Sequence, residues 1–309
     1  MRTSMAVGRD CPYQCAPRAI AAGETECAAN MEGKTCIITG ATSGIGRSAA
    51  EALAAMGARI VMVARDKQRG ESTLAKLRDR FPAGGHSIHY ADLLRLAEVK
   101  RVAVDIAAAE PRIDVLLNNA GAMFARRKIT PDGCERTFAL NHLAPFILTH
   151  GLCERLFAAA PARVVNTAGV LHHLAWLHLD DLNLERNYTA FYAYAHAKLC
   201  SVLFTRELAR RWASKGVTAN CVHPGEVATR FGERAGGLIP YVFAVIRLFG
   251  SPPEQGARRI VQLASSREYA EITGRYFDKE RLARPNPQAV DDENAERLWD
   301  ATAKLAGIQ

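Results

Sequence analysis

Residues 35–46 read TCIITGATSGIG, and this stretch carries the strongest indication of the fold. Its apolar first half is typical of a buried strand, and the alanine-rich run SGIGRSAAEALAAMG (43–57) is typical of a helix. Between the two, Gly40, Gly44 and Gly46 let the backbone turn tightly and approach a bound group. The start of a helix favours an anion there, because its N–H groups lack partners. The stretch therefore predicts a strand–turn–helix unit that binds a pyrophosphate, and its context argues against a glycine-rich turn without a ligand.

The alternation of apolar strands and helices continues along the chain. Further strands are predicted at 59–65, 86–93, 112–121, 162–169, 217–225 and 274–278. Further helices are predicted at 67–81, 96–110, 134–159 (broken or bent near Pro145), 192–214 and after SPPEQGA (251–257). Strands that are apolar throughout are typical of a parallel sheet with helices on both faces. The sequence thus predicts the α/β class: a single doubly wound, Rossmann-type domain over 31–309 with a mostly parallel sheet of about seven strands.

The first thirty residues do not share this pattern. They are rich in Ala and Gly, show no clear periodicity and lack the continuous apolar core of a signal peptide. We predict that 1–30 is a disordered extension or the product of an upstream start codon. No stretch of the sequence reaches the roughly 18 apolar residues needed to span a bilayer.

Charge and cysteine content narrow the class of protein. The net charge is +8, but Lys and Arg are scattered without a dense basic run, so a basic pocket for a phosphorylated small ligand explains the charge as well as nucleic acid does. The eight cysteines lack metal-type spacing, and Cys11 and Cys15 have no partner pair elsewhere. We therefore predict no metal and no nucleic-acid partner. The scattered thiols predict a reducing compartment, the cytoplasm.

The second predicted strand bears on the choice of nicotinamide cofactor. An acidic residue about 20 positions after the glycines would hold the ribose 2′-hydroxyl of NAD. Here the strand ends Val63-Ala64-Arg65, and a guanidinium pairs bidentately with a phosphate. This favours NADP(H) over NAD(H). Arg47 is a weaker second candidate, and Asp66 beside Arg65 argues in the opposite direction.

The run YAYAHAK (192–198) places Tyr194 and Lys198 four residues apart, on one face of the predicted helix. One interpretation is a surface pair of little consequence. The other is a phenol used for acid–base chemistry, because a phenol pKa near 10 falls beside a cation.

Six motifs occur in the order found in the short-chain dehydrogenase/reductases, which the chain resembles over about 33–305. They are TGATSGIG (39–46), DL (92–93), NNAG (118–121), Asn141, YAYAHAK and HPG (223–225). Each motif alone is weak, but the ordered set is specific. The runs NHLAPFILT, LDDLN and ERLWD look most like the retinol-dehydrogenase-like branch.

The resemblance implies a role for each matching position. Tyr194 would protonate a carbonyl oxygen as hydride arrives from NADPH, or act as the base in reverse. Lys198 would bind the nicotinamide ribose and lower the pKa of Tyr194, and Asn141 would hold a water of the proton relay. Asp92 would hydrogen-bond the adenine. The implied cofactor-binding residues are Gly40, Thr42, Ser43, Gly44, Ile45, Gly46, Arg65, Asp92, Leu93, Asn118, Ala120, Gly121, Tyr194, Lys198, Pro224, Gly225, Val227 and Thr229.

One residue that the family uses is missing. The family has a serine at the end of the fifth strand that binds the substrate oxygen, and the retinol-dehydrogenase spacing back from Tyr194 places Gly169 there. Loss of one such donor typically costs about 3–4 kcal/mol, or roughly 10²–10³ in rate. The candidate replacements are Thr167, about 6.6 Å back along the strand, His172, His173 or a water. The histidines are equally well explained as polar loop residues.

The segment GGLIPYVFAVIRLFG (236–250) matches the variable substrate loop of the family and carries only one charge, Arg247. It fits an apolar substrate such as a retinoid, steroid or lipid-like aldehyde or ketone, although core packing or a membrane surface would give the same composition. The leading hypothesis is an NADP(H)-dependent oxidoreductase acting on such a substrate, with a homodimer or homotetramer implied by the resemblance. The alternative, suggested by Gly169, is a nucleotide-binding sensor or scaffold with an impaired site.

Overall fold

The computed structural model describes residues 30–228, 236–237, 239–241, 244 and 250–308. The predictions made for 1–29, for Thr229 and for most of 236–250 lie outside these residues. The strands are β1 (Thr35–Thr39), β2 (Arg59–Ala64), β3 (Ser87–Tyr90), β4 (Val115–Asn118), β5 (Ala162–Thr167), β6 (Val217–His223), β7 (Arg275–Asp278) and β8 (Arg281–Ala283). The helices are α1 (Gly44–Ala55), α2 (Lys67–Arg80), α3 (Leu96–Ala109), α4 (Arg136–Phe138), α5 (Ala144–Gly151), α6 (Cys153–Phe157), α7 (Ala190–Arg211), α8 (Pro253–Ser265) and α9 (Asp292–Ala306).

The strands form one sheet in the order β3-β2-β1-β4-β5-β6-β7-β8. β1 to β7 run parallel, and β8 pairs antiparallel with β7. This confirms the doubly wound α/β fold and its mostly parallel sheet, with β8 as an addition that the sequence did not indicate. The order reverses between β1 and β4. Ligands of such sheets bind in the crevice beyond the carboxyl ends of the strands at this reversal.

Helices cover both faces of the sheet. Ile38 and Leu53 belong to the apolar layer that joins β1 to α1, α2 and α8, whereas Ile37 faces α3, α5, α7 and α9. Because both sets of strand side chains are buried, the strands are apolar throughout. Within the described part of the chain, no helix is both long and apolar enough to cross a membrane.

Of the two alternatives predicted for the helix over 134–159, the structure shows a broken helix, and the break positions Asn141. A π-helical turn spans Ala139–Leu143, before Pro145, which sits harmlessly in the first turn of α5. The Ser201 hydroxyl donates to the Asn141 carbonyl (3.0 Å), which supports the widened turn from α7. Such π turns are frequent at functional sites. The proline therefore marks the start of α5 rather than the point where the helix is distorted.

Three buried histidines should make the fold sensitive to acid. Burial lowers the pKa of His142 to about 3 and the pKa values of His172 and His196 to about 4. Unfolded histidine titrates near 6.5, so below that pH the unfolded chain binds more protons than the native one. The contribution of the neutral histidines to the free energy of unfolding is complete above pH 6.5 and is lost as the pH falls toward 4. At pH 5 each of these histidines should lower the free energy of unfolding by roughly 2 kcal/mol relative to neutral pH.

Thermal unfolding at pH 7.5 and pH 5.0 measures this loss. His142→Gln is the matched variant, because its amide does not titrate and can take the position of His142 Nε2, which contacts Thr302 Oγ1 at 2.8 Å. We expect a smaller drop in the thermal midpoint between the two pH values for His142→Gln than for the wild type. An equal drop would show that His142 contributes nothing to the acid sensitivity.

Candidate active site

The glycines between β1 and α1 form a backbone cradle. Gly40 has φ +71°, and a Cβ there would stand 3.0 Å from Ala120 Cα. At Gly46 a Cβ would overlap the Asn119 amide and the Gly40 carbonyl. Gly44 also has a positive φ, of +52°. The cradle is therefore closed to side chains, which fits a pyrophosphate held by backbone N–H groups.

The first turn of α1 leaves its backbone donors open to a ligand. Ser43 is the N-cap residue but its side chain makes no capping hydrogen bond. Thr42, Ser43, Gly44 and Ile45 thus lie where the sequence placed them, at the helix N-terminus of a 12-residue helix.

The predicted groove residues from β3, β4 and the loop after β4 meet beside this cradle. The main-chain N–H groups of Asn119 and Ala120 both donate to Thr39 Oγ1 at 3.0 Å, which fixes the loop after β4. A shallow depression is lined by Thr39, Leu93, Asn118, Ala120, Leu140, Ala144, Pro145 and Leu148. The structure therefore brings Leu93, Asn118 and Ala120 together.

Arg65 and Asp92 lie together at the ends of β2 and β3. Arg65 Nη1 is 3.9 Å from Asp92 Oδ1, and the Arg65 side chain is half exposed. Asp66 is occupied elsewhere: its carboxylate accepts the Arg69 N–H at 3.0 Å and caps α2. Arg47 pairs with Glu51 on α1. A half-exposed guanidinium thus lies at this edge of the cradle, beside the Asp92 carboxylate, while the Asp66 carboxylate caps α2.

Tyr194 and Lys198 lie on α7 against the end of β5. Lys198 is buried, and its Nζ donates to the Thr167 carbonyl at 2.7 Å and lies 5.4 Å from the Tyr194 ring centroid. Burial lowers the pKa of Lys198 to about 8, so the ammonium is retained at neutral pH. The prediction that the pKa of Tyr194 is lowered is wrong in direction. Withdrawal of the phenol from water raises its pKa, an effect that opposes the cation.

Asn141 completes this group from the π turn. Its amide nitrogen donates to the carbonyls of Ala122 and Thr137, both at 2.8 Å. Its Oδ1 is buried and has no hydrogen-bond partner among the described residues. A Cβ at Gly121 would lie 2.7 Å from this oxygen and 3.6 Å from Lys198 Nζ. Gly121, Asn141 and Lys198 therefore surround one small polar space.

Gly169 faces the Tyr194 phenol. A Cβ at this position would be 3.5 Å from Tyr194 Oη, an ordinary van der Waals distance. The Gly169 backbone is extended (φ −159°, ψ 144°), a conformation open to any residue.

His172 does not replace the missing serine as a hydrogen-bond donor, because both of its ring nitrogens already have partners. Its Nε2 accepts the Asn286 N–H (3.2 Å), so Nδ1 carries the proton that it donates to the Gly169 carbonyl (2.8 Å). The His173 ring packs against His172 and Tyr276. The Thr167 hydroxyl is buried without a partner among the described residues. His172 therefore does not act as a hydrogen-bond donor beside Tyr194 in this arrangement.

Arg259 supports the turn after β6 and was missed by the sequence analysis. It is buried on α8, its Nη1 donates to the Pro224 carbonyl and its Nε lies 3.2 Å from Glu280. Gly225 has φ +88°, and any Cβ there would overlap the Arg259 guanidinium. Val227 follows in a parallel bridge with Ser251. The run Arg258-Arg259 in an amphipathic helix gives no signal that one of the two is buried.

An apolar cluster lies beside Tyr194. Met123, Ala190 and Ile239 pack together, and Leu171 and Ala125 border them along with the Tyr194 ring. A separate cavity, of about 500 Å³, lies on the loop before α7. Its lining is His178, Asp180, Asp181, Leu184, Arg186, Asn187, Thr189 and Tyr192. It includes neither Tyr194 nor Lys198, so the apolar cluster is the better candidate for substrate contact.

Comparisons with known proteins agree with this geometry. The family model described as short chain dehydrogenase matches residues 34–236. Human retinol dehydrogenase 13 is 37% identical over 91% of this chain and 87% of its own length. Human retinol dehydrogenase 12 is 35% identical over 96% of this chain and 95% of its own length.

Solved structures share the fold. An uncharacterised protein from Mycobacterium paratuberculosis superposes with a TM-score of 0.73 at 29% identity, covering 91% of this chain and 96% of that one. A Beutenbergia cavernae protein assigned as an NAD(P)-dependent gluconate 5-dehydrogenase, solved with bound NADP, gives a TM-score of 0.64 at 26% identity. It covers 81% of this chain and 96% of that one.

Proposed function

This chain belongs to the short-chain dehydrogenase family, and from that premise we propose that it interconverts a carbonyl and an alcohol on an apolar substrate with NADP(H). An oxidoreductase acting on CH–OH groups is what family membership and the retinol dehydrogenase relatives support. The observation that carries the proposal is the assembly of Tyr194, Lys198 and Asn141 beside a glycine cradle.

The nicotinamide cofactor, when bound, supplies or accepts the hydride. The side chains of the protein donate and return the proton. In reduction, Tyr194 donates its phenolic proton to the carbonyl oxygen. Lys198, held by the Thr167 carbonyl, places a cation beside the phenol and stabilises the phenolate that remains. The free Asn141 Oδ1 borders the same space and is suited to accept from a water that returns the proton.

NADP(H) is the proposed cofactor because of Arg65. A half-exposed guanidinium at the end of β2 can pair with a 2′-phosphate, while Asp66 caps α2 and does not compete. The bound NADP of the Beutenbergia cavernae relative supports the same choice.

Replacing Arg65 tests the cofactor preference. Arg65→Ala should weaken NADPH binding by roughly 10–100-fold, the value of one or two charged hydrogen bonds, and leave NADH binding nearly unchanged. Fluorescence titration with both cofactors measures this. Arg47→Ala, which removes a guanidinium already paired with Glu51, is the control and should change neither value much. Equal weakening of both cofactors by Arg65→Ala would contradict the assignment.

The apolar substrate is proposed from the surroundings of Tyr194. Met123, Leu171 and Ile239 offer hydrocarbon contact and no charge. The relatives named retinol dehydrogenases point to the same class, so retinoid, steroid or lipid-like aldehydes and ketones are the substrates to try first.

The test is NADPH oxidation by the full chain across a panel of apolar aldehydes and ketones. Turnover of at least one of them supports the proposal. If NADPH binds and none is reduced, and the matching alcohols are not oxidised with NADP⁺, the chain acts as the nucleotide-binding sensor or scaffold that Gly169 suggested. A cytoplasmic location and a homodimer or homotetramer remain predictions, open to fractionation and to light scattering.

A further inference from the structure

Gly169 leaves space for one small group directly beside the phenol. A Cβ built there would stand 3.5 Å from both Oη and Cε1 of Tyr194 and 3.6 Å from Lys198 Cγ. The extended backbone does not require glycine, and no neighbouring atom excludes a side chain. The space is therefore a property of the site that the fold does not impose.

Three side chains near this space donate to main-chain carbonyls. Lys198 donates to a β5 carbonyl, both Asn141 amide bonds go to main-chain carbonyls, and His172 donates to the Gly169 carbonyl. The buried Thr167 hydroxyl is two residues earlier, about 6.6 Å back along the strand direction. A carbonyl oxygen that gains charge benefits strongly from donors aimed at it. Of the three described atoms nearest to a Cβ at Gly169, the Tyr194 hydroxyl oxygen is the one that can donate a hydrogen bond.

We propose that the substrate supplies this donor itself, as an α-hydroxycarbonyl compound with an apolar body whose hydroxyl occupies the space at Gly169. The inference rests on the proposed carbonyl–alcohol activity and names its substrate class. In such a compound the hydroxyl and carbonyl oxygens stand side by side at about 2.8 Å, a hydrogen-bond distance. A carbonyl that accepts from Tyr194 Oη then brings the neighbouring hydroxyl into the space 3.5 Å from that atom.

The reaction balances without a further reagent. The carbonyl carbon receives hydride from the reduced nicotinamide, the C=O π bond opens onto oxygen, and that oxygen takes the proton of Tyr194. The α-hydroxyl keeps its own proton and donates a hydrogen bond throughout. The product is a 1,2-diol, and the cofactor leaves oxidised. Met123, Leu171 and Ile239 remain available to contact the apolar body.

A pair of ketones that differ only in the α-hydroxyl tests this: 2-hydroxyacetophenone and acetophenone. The kcat/KM of each is measured with NADPH for the wild type, Gly169→Ser and Gly169→Ala. Comparing the hydroxyketone-to-ketone ratio between variants cancels the intrinsic reactivities of the two compounds. Calorimetric titration with NADP⁺ shows that each variant still forms the cofactor site.

We expect the ratio to fall at least 10-fold in both variants. Gly169→Ser should do so mainly by improving acetophenone, since it adds a donor, and Gly169→Ala by impairing the hydroxyketone, since it only fills the space. Ratios within threefold of the wild type in the variants that fold overturn the inference while leaving the proposed function in place. Absence of turnover on both ketones and on the wider carbonyl panel, with NADP⁺ binding intact, would overturn both.

Discussion

Tyr194→Phe should reduce kcat by roughly 10²–10⁴-fold, the usual contribution of a positioned acid–base group. The substitution removes one oxygen and keeps the ring, which packs beside Met123, Ala190 and Ile239. Cofactor affinity should change only a few-fold, because the glycine cradle and Lys198 are untouched. Steady-state NADPH oxidation on the best substrate of the panel, with fluorescence titration of NADPH, gives both quantities.

Tyr192→Phe is the matched control for this loss. Tyr192 lies on the same helix, but its hydroxyl contacts His178 at 2.8 Å, outside the catalytic group. Its removal should leave kcat within a few-fold of the wild type. If Tyr194→Phe retained more than a tenth of the wild-type kcat with chemistry rate-limiting, Tyr194 would not be the proton donor.

Gly46→Ala should abolish measurable NADPH binding, with a dissociation constant raised at least 100-fold. Inside a helix, alanine is normally better than glycine by roughly 0.5–1 kcal/mol. Here its Cβ would overlap the Asn119 amide and the Gly40 carbonyl, so the cradle must widen. Overpacking of this kind costs typically 1–3 kcal/mol of stability. The loss of binding should therefore come with a lower thermal midpoint.

Gly33→Ala separates the two effects. Gly33 also carries a positive φ, of +71°, but a Cβ there would meet nothing within 4 Å. Alanine should strain the turn and lower the midpoint slightly while NADPH binding stays as in the wild type. Binding by Gly46→Ala within threefold of the wild type would show that the cradle does not hold the cofactor.

The sequence was sufficient for the fold wherever apolar runs and glycines act locally. The run of 35–46 predicts β1, the turn and α1, and the all-apolar strands predict a sheet covered on both faces. β8 was missed because three residues, Arg281–Ala283, are too few for a periodic pattern, and their pairing with β7 is set by the intervening turn. The π turn at Asn141 was missed because it depends on Ser201 from another helix.

In the candidate site, too, residues that act through local structure could be predicted from the sequence, and residues that act through distant contacts could not. Gly46 could be identified from the sequence because its role depends on the adjoining strand and helix. Arg259 could not be identified, since its role depends on a hydrogen bond to the Pro224 carbonyl, 35 positions earlier in the chain. The direction of the Tyr194 pKa was mistaken for a related reason. Spacing along α7 reveals the nearby cation, but the desolvation that raises the pKa comes from the packed surroundings.

The antiparallel strand β8 also bears on how the protein behaves when concentrated. A long, flat parallel edge would offer unpaired N–H and C=O groups to another chain, the usual start of fibril growth. This sheet ends instead in three residues headed by the exposed Arg281, with Arg284 and Pro285 directly after them. The opposite edge, β3, has only four residues. Both margins thus discourage strand addition, so the native fold should resist amyloid-type assembly through its sheet.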